Sequence, residues 1–245
     1  MATIAVIGGS GSIGREVVRL LRESGHDVRV LGRHSPEHPV DIVKDVGLDV
    51  ALTGSDAVVD ASNAVRGAKD ALLVGTRNVL AAERRVGVGH HVGITIIGCD
   101  AVPLGYYKAK TAQDALVRDS PVPHSLVRAT QFHTLLGGIF SAAAKYGILP
   151  IAGGVAQPVD AGEAAAVVAS VATGEPLRGE TTVGGPDVRE LGELARVWKA
   201  SVGSKAVPLP VPLPGGKQIK AGALTVADPD TRGVITFEQW LAATA

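Results

Sequence analysis

Two side chains in the segment YYKAKTAQDALV have the types and the spacing to move a proton. Tyr106 and Lys110 stand four apart in a stretch of helical pattern, so their side chains share one face about one turn apart. A phenol with an ordinary pKa of about 10 keeps its proton at neutral pH, and a neighbouring ammonium favours the phenolate and brings that proton nearer to transfer. Tyr106 could then protonate a developing alkoxide, or deprotonate an alcohol in reverse. Tyr107 is adjacent, and the pattern leaves open which of the two phenols faces a ligand.

The second chemical signal is VIGGSGSIGREVV, with glycines at Gly8, Gly11 and Gly14 and Gly9 beside the first. A diphosphate needs backbone N–H groups turned toward it and gains from the positive end of a helix. Gly8 suits the tight turn, Gly11 the close approach of the phosphates, and Gly14 a helix lying close on a sheet. Ser12 and Ile13, at the start of the following helix, complete the dinucleotide-binding set. Gly11 is expected at positive φ, where a branched side chain would be both strained and in the way of the phosphates.

Short apolar runs alternate with helical patterns through the first half: TIAVIG, DVRVLG, VDIVKDV, DAVVDAS, HVGITIIG and HSLVRAT are the expected strands. Near-continuous apolar runs of this kind are buried on both faces, and the intervening helices make right-handed crossovers. The fold class is therefore α/β, a doubly wound parallel sheet of Rossmann type. One helix is expected from about Arg66 to Val86, stopped by Gly87. Residues 1–131 read as the nucleotide-binding core. Residues 132–245 read as a C-terminal region capping the substrate, interleaved with the last strands. Within it a helix is expected from about Ala161 to Ala172. Asp187 and Glu190 have capping-box spacing before a second, Thr236 and Gln239 before a third, and VPLPVPLPGG reads as an extended segment against the core.

The G-x-x-G-x-x-G loop followed by Y-x-x-x-K resembles the short-chain dehydrogenase/reductase superfamily, in particular its atypical, NmrA-like branch. DAVVDASN resembles that family's fourth strand, GTRNVLAAERRVGVGHHVGITIIG the next helix and fifth strand, and HSLVRATQF the sixth strand. The resemblance implies that Asp45, with Val46 beside it, contacts the adenine, and that Asn63 lines the cofactor after the fourth strand. It also implies that Thr95 holds the substrate carbonyl oxygen, that Thr130, Gln131 and Phe132 lie near the nicotinamide, and that Lys110 reaches both the phenol and the cofactor.

At the end of the second strand Gly32 stands where an NAD-selective site carries an acid, and Arg33 follows, which fits the 2′-phosphate of NADP. Arg15 and Ser35 are candidate helpers. The expected activity is NADP-dependent hydride transfer to a small carbonyl or related acceptor, with NADPH preferred over NADH. The rival readings are an NmrA-like NADP sensor without turnover and an epimerase or dehydratase using the cofactor transiently. The regions expected to shape the pocket are rich in Gly, Ala, Val, Leu and Pro, which points to an apolar small molecule.

Equal numbers of basic and acidic residues, 24 each, give no patch to track a nucleic acid backbone. His90 and His91 precede the fifth strand at the end away from the expected crevice, with no metal-ligand spacing, and no metal is expected. The lone cysteine, Cys99, reads as a small apolar residue and suits a reducing compartment. The start MATIAVIGG enters a strand at once, and the longest apolar tract, LLGGIFSAAA, is about half of a bilayer span. A cytoplasmic protein is expected.

Overall fold

The computed structural model describes residues 1–63, 70–212 and 215–244. In chain order the elements are β1 (Thr3–Ile7), α1 (Ser12–Glu23), β2 (Asp27–Leu31), α2 (Leu48–Leu52), β3 (Ala57–Asp60), α3 (Gly75–Val86), β4 (His90–Ile96), α4 (Gly105–Arg118), β5 (His124–Ala129), α5 (His133–Ala144), β6 (Ile148–Ala152), β7 (Val155–Ala156), α6 (Ala161–Thr173), β8 (Gly179–Gly184), β9 (Arg189–Glu190), α7 (Leu191–Ser201), β10 (Val207–Val211), α8 (Gly216–Lys220), β11 (Thr231–Arg232) and α9 (Phe237–Thr244). Seven strands form one sheet in the order β11-β8-β5-β4-β3-β1-β2. β1 pairs in parallel with β2 and β3, and β3 with β4. The Rossmann-type α/β architecture read from the alternating runs is the one observed.

Two compact units divide the chain. The first comprises residues 1–95, 105–128 and 164–181, and the second residues 96–104, 129–163 and 182–245. In the first, Ile4, Ala5, Val6, Val58 and Val59 are wholly buried, as expected of central strands covered on both faces. In the second, Leu136, Phe140, Leu149, Leu194, Trp198 and Phe237 belong to a separate core.

Several expectations need correction. VDIVKDV is not a strand. Asp41 and Val46 exchange backbone hydrogen bonds of 3.0 and 3.1 Å, and the Asp41 carboxylate accepts from the amides of Val43 and Lys44. A side chain satisfying its own loop removes the incentive to join a ladder, and β2 is left at the sheet edge, with an isolated bridge from Gly32 to Pro39 beyond it. The run expected as a fourth strand is therefore β3. Of the helix expected from Arg66, the described part is a π-turn over Asp70–Val74 that runs into α3; residues 66–69 lie outside the described residues. Gly87 does end α3, in the left-handed conformation with φ +79°.

Thr236 and Gln239 form the expected capping box, each bonding the other's backbone amide at 2.8 and 3.2 Å. Asp187 and Glu190 do not. Arg189 and Glu190 pair with β7 instead, so α7 starts only at Leu191 and carries no side-chain cap. VPLPV is extended but not against the core: it pairs in parallel with β6 and is largely exposed. Residues 213 and 214 of that stretch lie outside the described residues. Among the described residues no helix is long and apolar enough to cross a membrane.

Candidate functional site

The chain leaves β1 through Gly8, whose φ of +74° is one L side chains avoid. A Cβ there would sit 2.7 Å from the Ala61 carbonyl oxygen, so the loop lies directly on the turn that follows β3. Gly14 is held as tightly, because a Cβ on it would collide with the Gly8 carbonyl. Gly11 differs. Its φ is −74°, not the positive value expected, and its added Cβ would meet only the Gly8 carbonyl oxygen, at 3.2 Å. Its requirement is open space rather than backbone freedom.

Gly11 is also the N-cap of α1, and no side chain caps the helix. The first-turn amides of Ser12, Ile13 and Gly14 lack intrahelical acceptors by the geometry of any helix. Open space over Gly11 beside an uncapped helix start fits the oxygens of a diphosphate.

The turn after β3 links this loop to the tyrosine. The Ala61 amide donates to the Ile7 carbonyl at 3.0 Å, and the buried Asp60 carboxylate accepts from the Ser62 amide at 2.9 Å. Asn63, next along, accepts a 2.9 Å hydrogen bond from the Tyr106 hydroxyl. Tyr106 lies in the first turn of α4, its ring tilted against that of Tyr107, 5.6 Å away.

Lys110 sits one turn further along α4 and is almost wholly buried. Its ammonium donates to the Ile94 carbonyl at 2.8 Å and to Gln113 Oε1 at 2.6 Å. The Gln113 amide donates in turn to the Thr76 hydroxyl on α3 at 2.8 Å. These bonds fasten α4 to β4 and α3. Sequence reading passed over Gln113, although its i+3 spacing from Lys110 was visible.

Thr95 is buried on β4, and its hydroxyl acts on the Asp114 carboxyl of α4. Burial pushes the Asp114 carboxyl up, against the opposing effects of the Thr95 hydroxyl and the Lys110 ammonium.

After β2, Arg33 is exposed and makes no ion pair among the described residues. Nothing lies within 4 Å of a Cβ built on Gly32. The Ser35 hydroxyl donates to the Val30 carbonyl at 2.7 Å, so its proton is engaged. Asp45 has φ +54° and pairs with Arg85 at 3.3 Å; Val46 beside it is exposed.

His90 bonds the Ser125 hydroxyl and His91 the Glu83 carboxylate, each at 2.8 Å. Among the described residues no cluster of His, Cys, Asp or Glu could hold a metal ion.

In the second unit, the Thr130 hydroxyl accepts from the Gly185 amide at 3.2 Å. Gln131 donates to the Leu224 carbonyl at 2.8 Å, and half-buried Phe132 precedes α5 as its N-cap. A cavity of about 480 Å³ in this unit is lined by Gly153, Val211, Pro212, Gly216, Lys217 and Lys220. Its wall is the Gly, Val and Pro texture expected, with two ammonium groups added.

A family model described as NAD(P)H-binding matches residues 8–137, more than half of the chain. The chain belongs to the NAD(P)H-binding family. A family member of this kind carries a nicotinamide dinucleotide-binding domain, and the matched span begins at the first glycine of the loop. The NAD(P)H-binding character implied by the resemblance is borne out.

An uncharacterized protein of Mycobacterium tuberculosis is 36% identical over 98 residues, a stretch amounting to 36% of this chain and 11% of that protein. The chain thus matches only about a ninth of that relative's length. Among solved structures, an NADPH-dependent quinone oxidoreductase from Escherichia coli in complex with NADPH superposes with a TM-score of 0.82 at 18% identity, over 98% of this chain and 99% of the other. A nucleoside-diphosphate-sugar epimerase from Staphylococcus aureus gives 0.79 at 15% identity, over 98% and 99%. A triphenylmethane reductase from Citrobacter gives 0.71 at 20% identity, over 85% and 78%. At these identities the likeness is one of fold.

Proposed function

We propose that the protein is an NADPH-dependent oxidoreductase that reduces a small carbonyl or quinone acceptor, with Tyr106 as the proton donor. The observation that carries this reading is the hydrogen bond from Tyr106 to Asn63, because Asn63 belongs to the turn that packs on the glycine loop. It puts a protic side chain and the diphosphate cradle on opposite ends of one three-residue turn. The reductases among the similar folds support the same reading.

In this account Gly8, Gly11, Ser12, Ile13 and Gly14 receive the diphosphate, and Arg33 receives the 2′-phosphate. Asp45, Val46, Asn63, Thr130 and Phe132 are the remaining candidate contacts. The nicotinamide, when bound, supplies a hydride. Tyr106 gives its proton to the acceptor oxygen as negative charge develops there, and recovers one from solvent. Lys110, anchored through Ile94 and Gln113, favours the phenolate through its charge. Thr95 is the candidate for holding the acceptor oxygen. Residues 132–245 supply the acceptor pocket. The single buried cysteine suits a reducing cytoplasm.

A sensor that binds NADPH without turnover draws on the same lysine, whose ammonium is buried and bonded to a backbone carbonyl and an amide. Screening NADPH oxidation by the purified protein against carbonyls and quinones separates the two readings. Turnover with any acceptor supports the enzyme, and tight NADPH binding with none supports the sensor.

A further inference from the structure

Behind the Ala61–Asn63 turn lies a group of ionisable side chains that the proposed reaction does not use. Glu83 on α3 and His91 on β4 are both wholly buried, with His91 Nδ1 2.8 Å from Glu83 Oε1. Asp60, at the end of β3, is only 3% exposed. Each of the three keeps one buried polar atom without a hydrogen-bond partner among the described residues: Glu83 Oε2, His91 Nε2 and Asp60 Oδ2. Orphaned buried polar atoms are rare because each forfeits its hydration. Here three of them belong to ionisable groups.

Strand register sets the arrangement. Val58 pairs with His91 and Asp60 with Gly93, and alternation along a strand places residues 58, 60, 91 and 93 on one face of the sheet. A Cβ on Gly93 would lie 3.7 Å from His91 Nε2. The free edge of the imidazole therefore leans over Gly93, the residue beside Asp60. The remaining titratable neighbours are His90, which bonds Ser125 on β5, and His124.

We propose that Asp60, His91 and Glu83 form a buried carboxylate–imidazolium–carboxylate group that fixes the turn carrying Asn63, making all three positioning residues for the cofactor loop and for Tyr106. The inference rests on the reading of that loop as the cofactor site. Burial works to lower the His91 imidazole, but the Glu83 and Asp60 carboxylates outweigh it and hold it above its ordinary value. Burial likewise pushes the Glu83 carboxyl up, with His91 opposing. The Asp60 carboxylate accepts from the Ser62 amide at 2.9 Å, and a protonated His91 offsets the charge of the two carboxylates beside it. When His91 loses its proton, the attraction that draws Asp60 toward the imidazole is lost, and with it the placement of the carboxylate that holds the Ser62 amide. The Ala61 carbonyl against Gly8 and the Asn63 acceptor for Tyr106 then lose their fixed place.

Two measurements on the full chain test this. In the first, His91 is titrated by NMR without cofactor. Its pKa is expected above the ordinary 6.5 and lower in both Asp60→Asn and Glu83→Gln. In the second, the NADPH dissociation constant is followed from pH 7 to pH 9.5. Wild-type affinity is expected to weaken as His91 deprotonates, whereas Asp60→Asn binds about tenfold more weakly throughout with the pH dependence gone.

A His91 of ordinary pKa unmoved by Asp60→Asn overturns the proposal, as does wild-type NADPH affinity that is flat across the range. The latter holds even where Asp60→Asn does not fold. NADPH failing to bind the wild type at all overturns the cofactor reading and the positioning role with it, while the NMR titration still reports whether the charged group exists.

Discussion

The hydroxyl of Tyr106 donates to Asn63 Oδ1 across 2.9 Å, joining the first turn of α4 to the turn that follows β3. The same three-residue turn meets Gly8 through Ala61, so the candidate proton donor and the candidate phosphate loop are positioned by one short segment. Replacing Asn63 with Ala removes the acceptor that orients the phenol. Turnover is expected to fall by up to about tenfold, the worth of one neutral hydrogen bond, with the protein still folded because Asn63 is exposed. Unchanged steady-state kinetics in Asn63→Ala would show that the bond has no part in placing the phenol.

In the proposed reading Arg33 sets the choice of cofactor. A charge-assisted bidentate contact is worth roughly 1.5 to 3 kcal/mol, so Arg33→Ala should weaken NADPH by about one to two decades and leave NADH nearly untouched. Titration of both nucleotides into both proteins checks this, and equal wild-type affinities would remove the assignment.

Gly11 and Gly14 should respond differently to added carbon. Gly11→Val meets only one carbonyl in the protein, 3.2 Å from its Cβ, so the variant should fold yet lose NADPH, whose phosphates need that space. Gly14→Ala collides with the Gly8 carbonyl and Gly9, so its loss should appear first as a lower melting temperature. A folded Gly11→Val with wild-type affinity places the phosphates elsewhere.

Stability should fall on the acid side. His133 is wholly buried, stacked on Trp240 and bonded to the Ile235 carbonyl at 2.9 Å. Burial pushes its imidazole below the ordinary value, with the Ile235 bond opposing. Below pH 6.5 the unfolded chain binds a proton that the folded one resists, so stability is present above that pH and lost as the pH falls through it. His133→Gln, which keeps a donor for Ile235, should make the melting temperature less steep between pH 7 and 5. It should not flatten it, because His90 and His124 are also held low by burial. An unchanged slope would remove His133 from the account.

Thr236→Ala breaks a capping box whose two bonds are both formed. A loss of about 1 kcal/mol is expected from denaturant unfolding, with NADPH affinity unchanged.

Much of this was legible in the sequence, and for local reasons. Gly8 and Gly14 could be read because crowding at a strand-to-helix turn admits nothing larger, and Thr236 with Gln239 because both partners lie within one turn. Asp187 with Glu190 had equal spacing, but strand pairing to Val155 and Ala156 claimed Arg189 and Glu190. VDIVKDV had strand composition, yet Asp41 satisfies its own loop. The effect of Thr95 on Asp114 was invisible because the packing of α4 sets it. The Asp60, Glu83 and His91 group was invisible because sheet register and the packing of α3 bring it together. Lys110, Gln113 and Thr76 met for the same reason, the last two being 37 residues apart.

The account is tested most directly by single-turnover oxidation of bound NADPH, followed at 340 nm in wild type and Tyr106→Phe with an acceptor found by the carbonyl and quinone screen. General acid catalysis contributes about 10² to 10⁴ in rate. The variant, which keeps the ring and loses only the hydroxyl, should therefore be slower by that factor with NADPH affinity unchanged, while Tyr107→Phe stays near wild type. Oxidation at the wild-type rate in Tyr106→Phe, or NADPH bound tightly and consumed by no acceptor, would contradict it.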